Sequence, residues 1–143
     1  MVVTQLSIFI ENRSGRLAAA TRALADQDIN ILALSLADTA DFGVLRLIVS
    51  DPQAGRQALR DAGFTVVTND VLAVEVEDKP GGLAAILAVL EKNAINVEYM
   101  YAFSSVKTQR AALIFRFEDS QAAIQALTDA GIGVMSKIDV LGH

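Results

Sequence analysis

The chain has no cysteine, a single histidine, two prolines and fewer basic than acidic side chains. Each shortage removes a class of function. Without cysteine there is no disulfide framework, no thiolate nucleophile and no cysteine-based metal site. The histidine, His143, is the final residue and belongs to no catalytic constellation, so neither a metal nor a cofactor is expected. Twelve Lys and Arg against seventeen Asp and Glu give a net charge of −5. No basic face is available to collect phosphates, which argues against a nucleic-acid partner. No apolar run approaches the ~18 residues that cross a bilayer, which argues against a membrane partner. The opening Met1-Val2-Val3-Thr4-Gln5-Leu6 lacks a basic stretch followed by an apolar one, so export is not expected and a cytoplasmic location is. Gly81-Gly82 lacks the three-glycine spacing of a dinucleotide fingerprint, and no phosphate-loop lysine is present.

What the chain does have is a repeat. Offset by 66 residues, Leu6, Glu11, Gly15, Leu17, Ala18, Ala19, Leu24, Ile29 and Asn30 meet identical types at Leu72, Glu77, Gly81, Leu83, Ala84, Ala85, Leu90, Ile95 and Asn96. Further on, at an offset of 68, Asp51, Gln53, Ala54, Leu59, Gly63 and Val66 meet Asp119, Gln121, Ala122, Leu127, Gly131 and Val134. One small fold is therefore made twice, over residues 1–69 and 70–143 of the 143. Units of roughly 70 residues have thin cores and are marginal alone, and a hydrophobic share of 52% fits units that pack on something.

The pattern within each copy is βαββαβ. Thr4 to Ile10 alternates as a strand, Glu11 to Gly15 is a corner, and the apolar spacing turns helical from Arg16. Ile29 to Leu36 and Gly43 to Val49 form a hairpin about Asp38-Thr39-Ala40-Asp41. Asp51 followed by Pro52 starts a second helix, Gly63 ends it, and Phe64 to Thr68 is a last strand. The second copy replays this order. Val71 to Val76 is a strand, Leu83 to Lys92 a helix, Asn96 to Phe103 and Arg110 to Phe117 a hairpin, Ser120 to Ala130 a helix and Ile132 to Ile138 a strand. The fold class is α+β, two ferredoxin-like units with their helices on one face of the sheet.

The other sheet face carries information as well. Val97, Tyr99, Tyr101 and Phe103 share one parity, and both faces of these strands are largely apolar. An uncovered apolar face needs a cover, and the expected one is a second copy of the chain in a homodimer.

The repeated glycine corners are where chemistry is expected. A chain that leaves a strand and enters a helix presents unpartnered N–H groups and a positive dipole end, which suit a carboxylate. Gly15 and Gly81 allow close backbone approach and angles closed to other residues. Pro80 pre-sets a backbone angle for helix entry, and Ser14 at the matching place is a candidate cap. An ammonium group needs acceptors, which Asn12 and Asp78 offer, while Asn30 and Asn96 supply donor and acceptor together. Glu11 and Glu77 at the strand ends read as solvent-exposed or capping groups, and Asp119-Ser120 as a helix cap.

Glu11-Asn12-Arg13-Ser14-Gly15-Arg16-Leu17 with Asp28-Ile29-Asn30-Ile31 resembles the ACT domain, an amino-acid-sensing module. Glu77-Asp78-Lys79-Pro80-Gly81-Gly82-Leu83 with Ala94-Ile95-Asn96-Val97 resembles it again, so the whole chain looks like a stand-alone tandem pair. The resemblance implies units lying side by side in an eight-stranded antiparallel sheet, with each corner facing the second strand of the other unit. It also implies that Asn12 and Asn30 match the two asparagines that hold the ligand in serine-sensing ACT domains. In the second copy Asn96 matches but Asp78 departs from the pattern, and Ser14 stands in the first copy where the family carries proline. Tyr99 and Tyr101 are candidates to line one pocket, and the matching positions in the first copy are Ala33 and Ser35.

The expected function is thus a non-catalytic regulator that binds a free amino acid between ACT units. The alternative is a ligand-free regulatory or interaction subunit of an amino-acid-metabolism enzyme. A hydrolase of the acylphosphatase kind finds only a faint echo in Asn12-Arg13, which Asp78-Lys79 does not repeat.

Overall fold

The computed structural model describes residues 2–38, 41–103 and 111–142. Thr39 and Ala40 of the expected first turn, Arg110 at the start of an expected strand, and His143 lie outside the described residues. The chain divides into two compact units, Thr4–Asn69 and Asp70–His143, the second also taking in Met1–Val3.

The N-terminal unit follows the expected order. Strand β1 (Val3–Glu11) leads to helix α1 (Arg16–Ala25), the hairpin β2 (Ile31–Asp38) and β3 (Phe42–Val49), helix α2 (Pro52–Asp61) and strand β4 (Val66–Val76). Antiparallel pairing sets Ile8 opposite Leu45 and Leu45 opposite Leu36, giving the order β2-β3-β1. Alternation puts Leu6, Ile8, Ile10, Leu45 and Leu47 on the face that α1 and α2 cover with Ala20, Leu24 and Leu59. On β1's other side Ser7 Oγ donates to Asn69 Oδ1 at 2.8 Å, and Gln5 Nε2 donates to Ser7 Oγ at 3.1 Å. These buried polar groups sit on the face away from the helices and are satisfied by each other.

The C-terminal unit begins inside β4. It continues with α3 (Gly82–Lys92), β5 (Val97–Phe103), β6 (Ala111–Phe117), α4 (Ser120–Asp129) and the short α5 (Lys137–Leu141). Its strand order is β4-β6-β5, with Leu72 opposite Phe115 and Phe115 opposite Met100. Leu72, Val74, Ile86, Leu90, Phe115, Phe117 and Leu127 form its core. Phe115 and Phe117 stack with ring centroids 5.5 Å apart.

Six strands are described where eight were expected. The strands expected over Phe64–Thr68 and Val71–Val76 are one, because nothing between them breaks the ladder. Asn69 and Asp70, between which the two units divide, lie within that strand: Asn69 Oδ1 accepts from Ser7 Oγ, and the Asp70 carbonyl accepts from Arg116 Nη1 at 2.8 Å. The strand expected over Ile132–Ile138 shrinks to a bridge between Val134 and Val74. Ser136 then opens α5 through a reciprocal capping box with Asp139, which ends the extended run. The Asp139 carboxyl is held below the ordinary carboxylate value, chiefly by the backbone N–H of Ser136.

A second departure concerns parity. Both edge strands bulge near their starts, between Ile31 and Ala33 and between Val97 and Tyr99. Ile31 and Val97 therefore pack on the helix side while Ala33 and Tyr99 turn to the other, so Val97 does not share a face with Tyr99. The face away from the helices is also less open than expected. Ala33 and Ile48 in one unit, and Ala73, Ala112 and Ile114 in the other, are buried within the single chain. The premise that this whole face needs a second chain does not hold. In the N-terminal unit Phe9 and Phe42 on that face do remain 52% and 55% exposed.

All four long helices end alike, with an N–H reaching back five residues to a carbonyl: Ile29 to Leu24, Phe64 to Leu59, Ile95 to Leu90 and Ile132 to Leu127. The residue before each donor has positive φ. It is glycine after α2 and α4 (Gly63 at 91°, Gly131 at 75°) but Asp28 (57°) and Ala94 (56°) after α1 and α3. Alanine gains nothing in this conformation that glycine lacks. Ala94→Gly is expected to stabilise the protein by about 0.5 kcal/mol and Gly131→Ala to destabilise it by about 1 kcal/mol, read as opposite shifts in a urea-unfolding midpoint.

Candidate functional site

The five helices among the described residues start in two ways. Asp51 Oδ1 accepts from Ala54 N at 3.1 Å, Asp119 Oδ1 accepts from Ala122 N at 3.0 Å, and Ser136 Oγ caps α5. These are filled caps, as expected of Asp51 and Asp119. By contrast, α1 and α3 begin at Gly15 and Gly81, at φ 90° and 87°, with no side-chain cap. Among the described residues no acceptor meets the N–H of Leu17 or Ala18 in α1, or of Leu83 or Ala84 in α3. Two unpartnered amides at the positive end of a dipole thus occur twice, at matched positions.

Ser14 is exposed and does not cap α1, because the left-handed turn at Gly15 takes over the cap position. Pro80 likewise stands one residue ahead of the cap Gly81, outside the first helical turn. The rest of each corner is held by its own backbone. Arg13 N donates to the Glu11 carbonyl and Lys79 N to the Glu77 carbonyl, at 2.8 and 2.9 Å. The side chains repeat the pairing, Arg13 Nε to Glu11 Oε2 at 2.9 Å and Lys79 Nζ to Glu77 Oε2 at 2.6 Å. Exposed pairs of this kind contribute little stability but fix where the cations point. Asn12 N donates to the Asp41 carbonyl at 3.0 Å, which ties the first corner to the start of β3.

Beside the first corner opens a pocket of about 180 Å³, walled by Asn12, Arg13, Leu17, Leu36 and Gly43. Asn12, Arg13 and Leu17 therefore lie together on one pocket wall. Leu36 and Gly43 were not anticipated; they arrive because β2 and β3 pair on the same side of the corner. Asn30 does not join that pocket. Its backbone N–H donates to Ser50 Oγ at 2.9 Å and its carbonyl accepts from Ser50 N at 2.9 Å, which ties the start of β2 to the end of β3. The side chains of Asn30 and Asn96 are exposed. Tyr99 and Tyr101 lie opposite Arg116 and Ile114, on the face away from the helices, so within their own unit they do not border the Gly81 corner.

The second corner opens differently. A cleft of about 320 Å³ runs from Lys79, Gly81 and Gly82 to Gly131, Ile132 and Gly133. In the N-terminal unit the Arg16 guanidinium instead lies 4.6 Å from the centroid of the Phe64 ring. Its Nε is buried and has no hydrogen-bond partner among the described residues, so the ring is its main compensation. Phe64, Ile132 and Gly133 were not singled out from sequence as site residues. The signal that finds them is that the two copies disagree there, whereas Gly131 repeats Gly63. Among the described residues no cluster of His, Asp or Glu is suited to a metal ion, and no helix is long and apolar enough to cross a membrane.

Gly82 has a spatial duty that Gly81 lacks. A Cβ on Gly82 would collide with the backbone carbonyl of Glu77, whereas one on Gly81 meets nothing and suffers only from its positive φ. Gly82→Ala is therefore expected to cost about 2 kcal/mol by displacing the corner, and Gly81→Ala about 1 kcal/mol, measured by chemical denaturation.

Comparison with known proteins agrees with this geometry. Residues 1–140 match the family model described as an ACT domain pair. A protein from Bacteroides thetaiotaomicron of known crystal structure is 38% identical, with a TM-score of 0.93, covering 100% of this chain and 98% of its own. The regulatory subunit of aspartate kinase from Thermus thermophilus, in ligand-free form, superposes with a TM-score of 0.63 at 18% identity, covering 89% of this chain and 91% of its own. An aspartate kinase from Clostridium acetobutylicum, described as allosteric, superposes with a TM-score of 0.54 at 11% identity and covers 89% of this chain but 32% of its own. At such identities the two kinase-related structures share the fold alone. No curated protein matches the sequence.

Proposed function

The chain belongs to the ACT domain pair family, and on that premise we propose that it is a non-catalytic regulator whose two glycine corners bind a free amino acid. The observation that carries this reading is the contrast in capping. Three helix starts are closed by Asp or Ser, while the two matched ones after Gly15 and Gly81 keep their amides unpartnered. A structural turn has no reason to leave the same two N–H groups unmatched in both copies. An α-carboxylate matches them, accepting from Leu17 and Ala18 at one corner and from Leu83 and Ala84 at the other.

The first pocket supplies the other half of a zwitterion site. The Asn12 carbonyl oxygen is the ammonium acceptor there, and Leu17 and Leu36 receive the side chain. Asp78 takes the ammonium role at the second corner. An aspartate holds an ammonium more strongly than an asparagine does, so the two corners differ in affinity.

Calorimetric titration with the twenty amino acids tests the proposal. At least one is expected to bind and to raise the melting temperature, with an added stability of about 2.7 kcal/mol once its concentration reaches 100 times Kd. Asn12→Ala, at an exposed position, should change stability by less than about 0.5 kcal/mol yet weaken binding at least threefold. Absence of heat and of thermal shift from all twenty would remove the reading.

A second reading, a subunit that regulates an amino-acid-metabolism enzyme by contact, is favoured by one observation. Leu34 and Leu36 on edge strand β2 and Phe9 and Phe42 on the neighbouring strands are half exposed in the N-terminal unit. Apolar groups at a sheet edge suit a protein partner, whether such an enzyme or a second copy in a homodimer. Co-purification of an enzyme with a chain that binds no amino acid would select this reading.

A further inference from the structure

The two copies of the repeat differ beside their glycine corners. At the offset of 66 the counterpart of Arg16 is Gly82, and at the offset of 68 the counterparts of Phe64 and Thr65 are Ile132 and Gly133. In the N-terminal unit the Arg16 guanidinium closes over the buried Phe64 ring. In the C-terminal unit Gly82, Ile132 and Gly133 are walls of the 320 Å³ cleft. Each exchange puts a smaller residue in the second copy, so bulk that the first copy carries there is missing from the second.

The cleft begins at the corner itself. Gly81 caps α3 and Gly82 is its first residue, and both belong to the cleft wall. Leu83 and Ala84, whose amides are unpartnered, come next along the helix, so a carboxylate on those amides has the cleft beside it. The charged groups on the walls are already engaged: Lys79 Nζ pairs with Glu77 Oε2, and Glu75 has a partner of its own. What the cleft offers a ligand is apolar surface, from the buried Val76 and Ile86 and from Ala85 and Ile132. A polar anchor at one end and an apolar wall beyond it is the usual make-up of a small-molecule site.

We propose that the second corner holds its ligand with the side chain in this cleft, and so selects an amino acid with a long apolar side chain. The inference rests on the amino-acid reading for the carboxylate at Leu83 and Ala84, and adds to it the class of ligand. At the first corner Arg16 lies on Phe64 across the matching place, which leaves a ligand's side chain the pocket at Leu17 and Leu36. One backbone frame thus presents two different side-chain sites. Each methylene that the cleft takes out of water strengthens binding roughly fourfold.

The test is titration of the full chain with alanine, 2-aminobutyrate, norvaline and norleucine, a series that adds one methylene at a time to a constant carboxylate and ammonium. Calorimetry reads the affinity, and amide chemical shifts read which corner is occupied. At the second corner norleucine is expected to bind at least tenfold tighter than alanine, and to shift Gly131, Ile132 and Gly133 more than alanine does. Gly133→Thr and Ile132→Phe each restore the first copy's residue at the wall. Either should reduce norleucine's advantage over alanine at least threefold, and each serves if the other fails to fold. A flat series that shifts Leu83 and Ala84 but moves Gly131 to Gly133 no more with norleucine than with alanine would overturn the inference and leave the amino-acid reading standing. An advantage that neither substitution reduces would overturn it as well. So would no binding of any of the four at the second corner, and the titration with all twenty amino acids then decides the underlying reading separately.

Discussion

Everything at the two corners depends on a backbone angle. Gly15 and Gly81 turn into their helices at φ near 90°, a conformation that L side chains rarely adopt. The consequence reaches past local geometry. The cap residue has no side chain to fold back on the first turn, so two amides per helix face outward without a partner. Where the same chain caps a helix with Asp51 or Asp119, the backbone at the cap is extended and the carboxylate closes the turn. One fold thus contains both solutions to the same problem, side by side in sequence. The difference between them is the observation on which the proposed ligand sites rest.

Duplication makes that argument stronger than a single copy would. Features that repeat, such as the glycine caps, the paired Glu11–Arg13 and Glu77–Lys79 and the bulged edge strands, are properties of the fold. Features that differ are properties of each unit. Arg16 over Phe64 fills and rigidifies the first corner on one side, and its buried unpartnered Nε is tolerated because the ring faces it. Gly82 with Ile132 leaves the second corner open on that side, and Gly82 is further constrained by the Glu77 carbonyl at its back. The two units have a common frame and unequal chemistry.

Much of this could be read from the residues. Periodicity places α1 to α4 to within a residue or two, and Asp51-Pro52 and Asp119 cap the helices they were expected to cap. The failures have physical causes. Asn69-Asp70 falls between two expected strands, but the Asn69 side chain and the Asp70 carbonyl each find a partner and a single strand runs through. Ile132 to Ile138 looks like a strand, but Ser136 and Asp139 cap one another and start a helix instead. A one-residue bulge inverts the parity of Tyr99 relative to Val97, which no alternation pattern reveals, since alternation is what a bulge breaks. Of the candidate site, Gly15, Gly81, Leu17 and Leu83 were legible because they repeat, and Asn12 and Arg13 because they share the corner. Leu36 and Gly43 were not, because they reach the pocket through strand pairing, and Ile132 and Gly133 were not, because they differ from the first copy.

The uncapped helix starts also suggest how binding would be felt by the rest of each unit. A glycine cap leaves a helix roughly a few tenths of a kcal/mol weaker than an Asp or Ser cap does. In α1 and α3 that deficit stands for as long as no acceptor is present, so their first turns are weaker than those of α2 and α4. A carboxylate that accepts from the two amides supplies the cap, and its interaction is present only when the turn is formed. Binding and ordering of the turn are then linked: the ligand has no affinity for a frayed corner and full affinity for a closed one. In the first unit the closed turn also holds Asn12 N on the Asp41 carbonyl, at the foot of β3, so tightening the corner tightens the hairpin whose Leu36 and Gly43 line the pocket. A carboxylate bound in this way would act through backbone groups common to every residue type, and would leave discrimination among ligands to the pocket walls, where the two units differ.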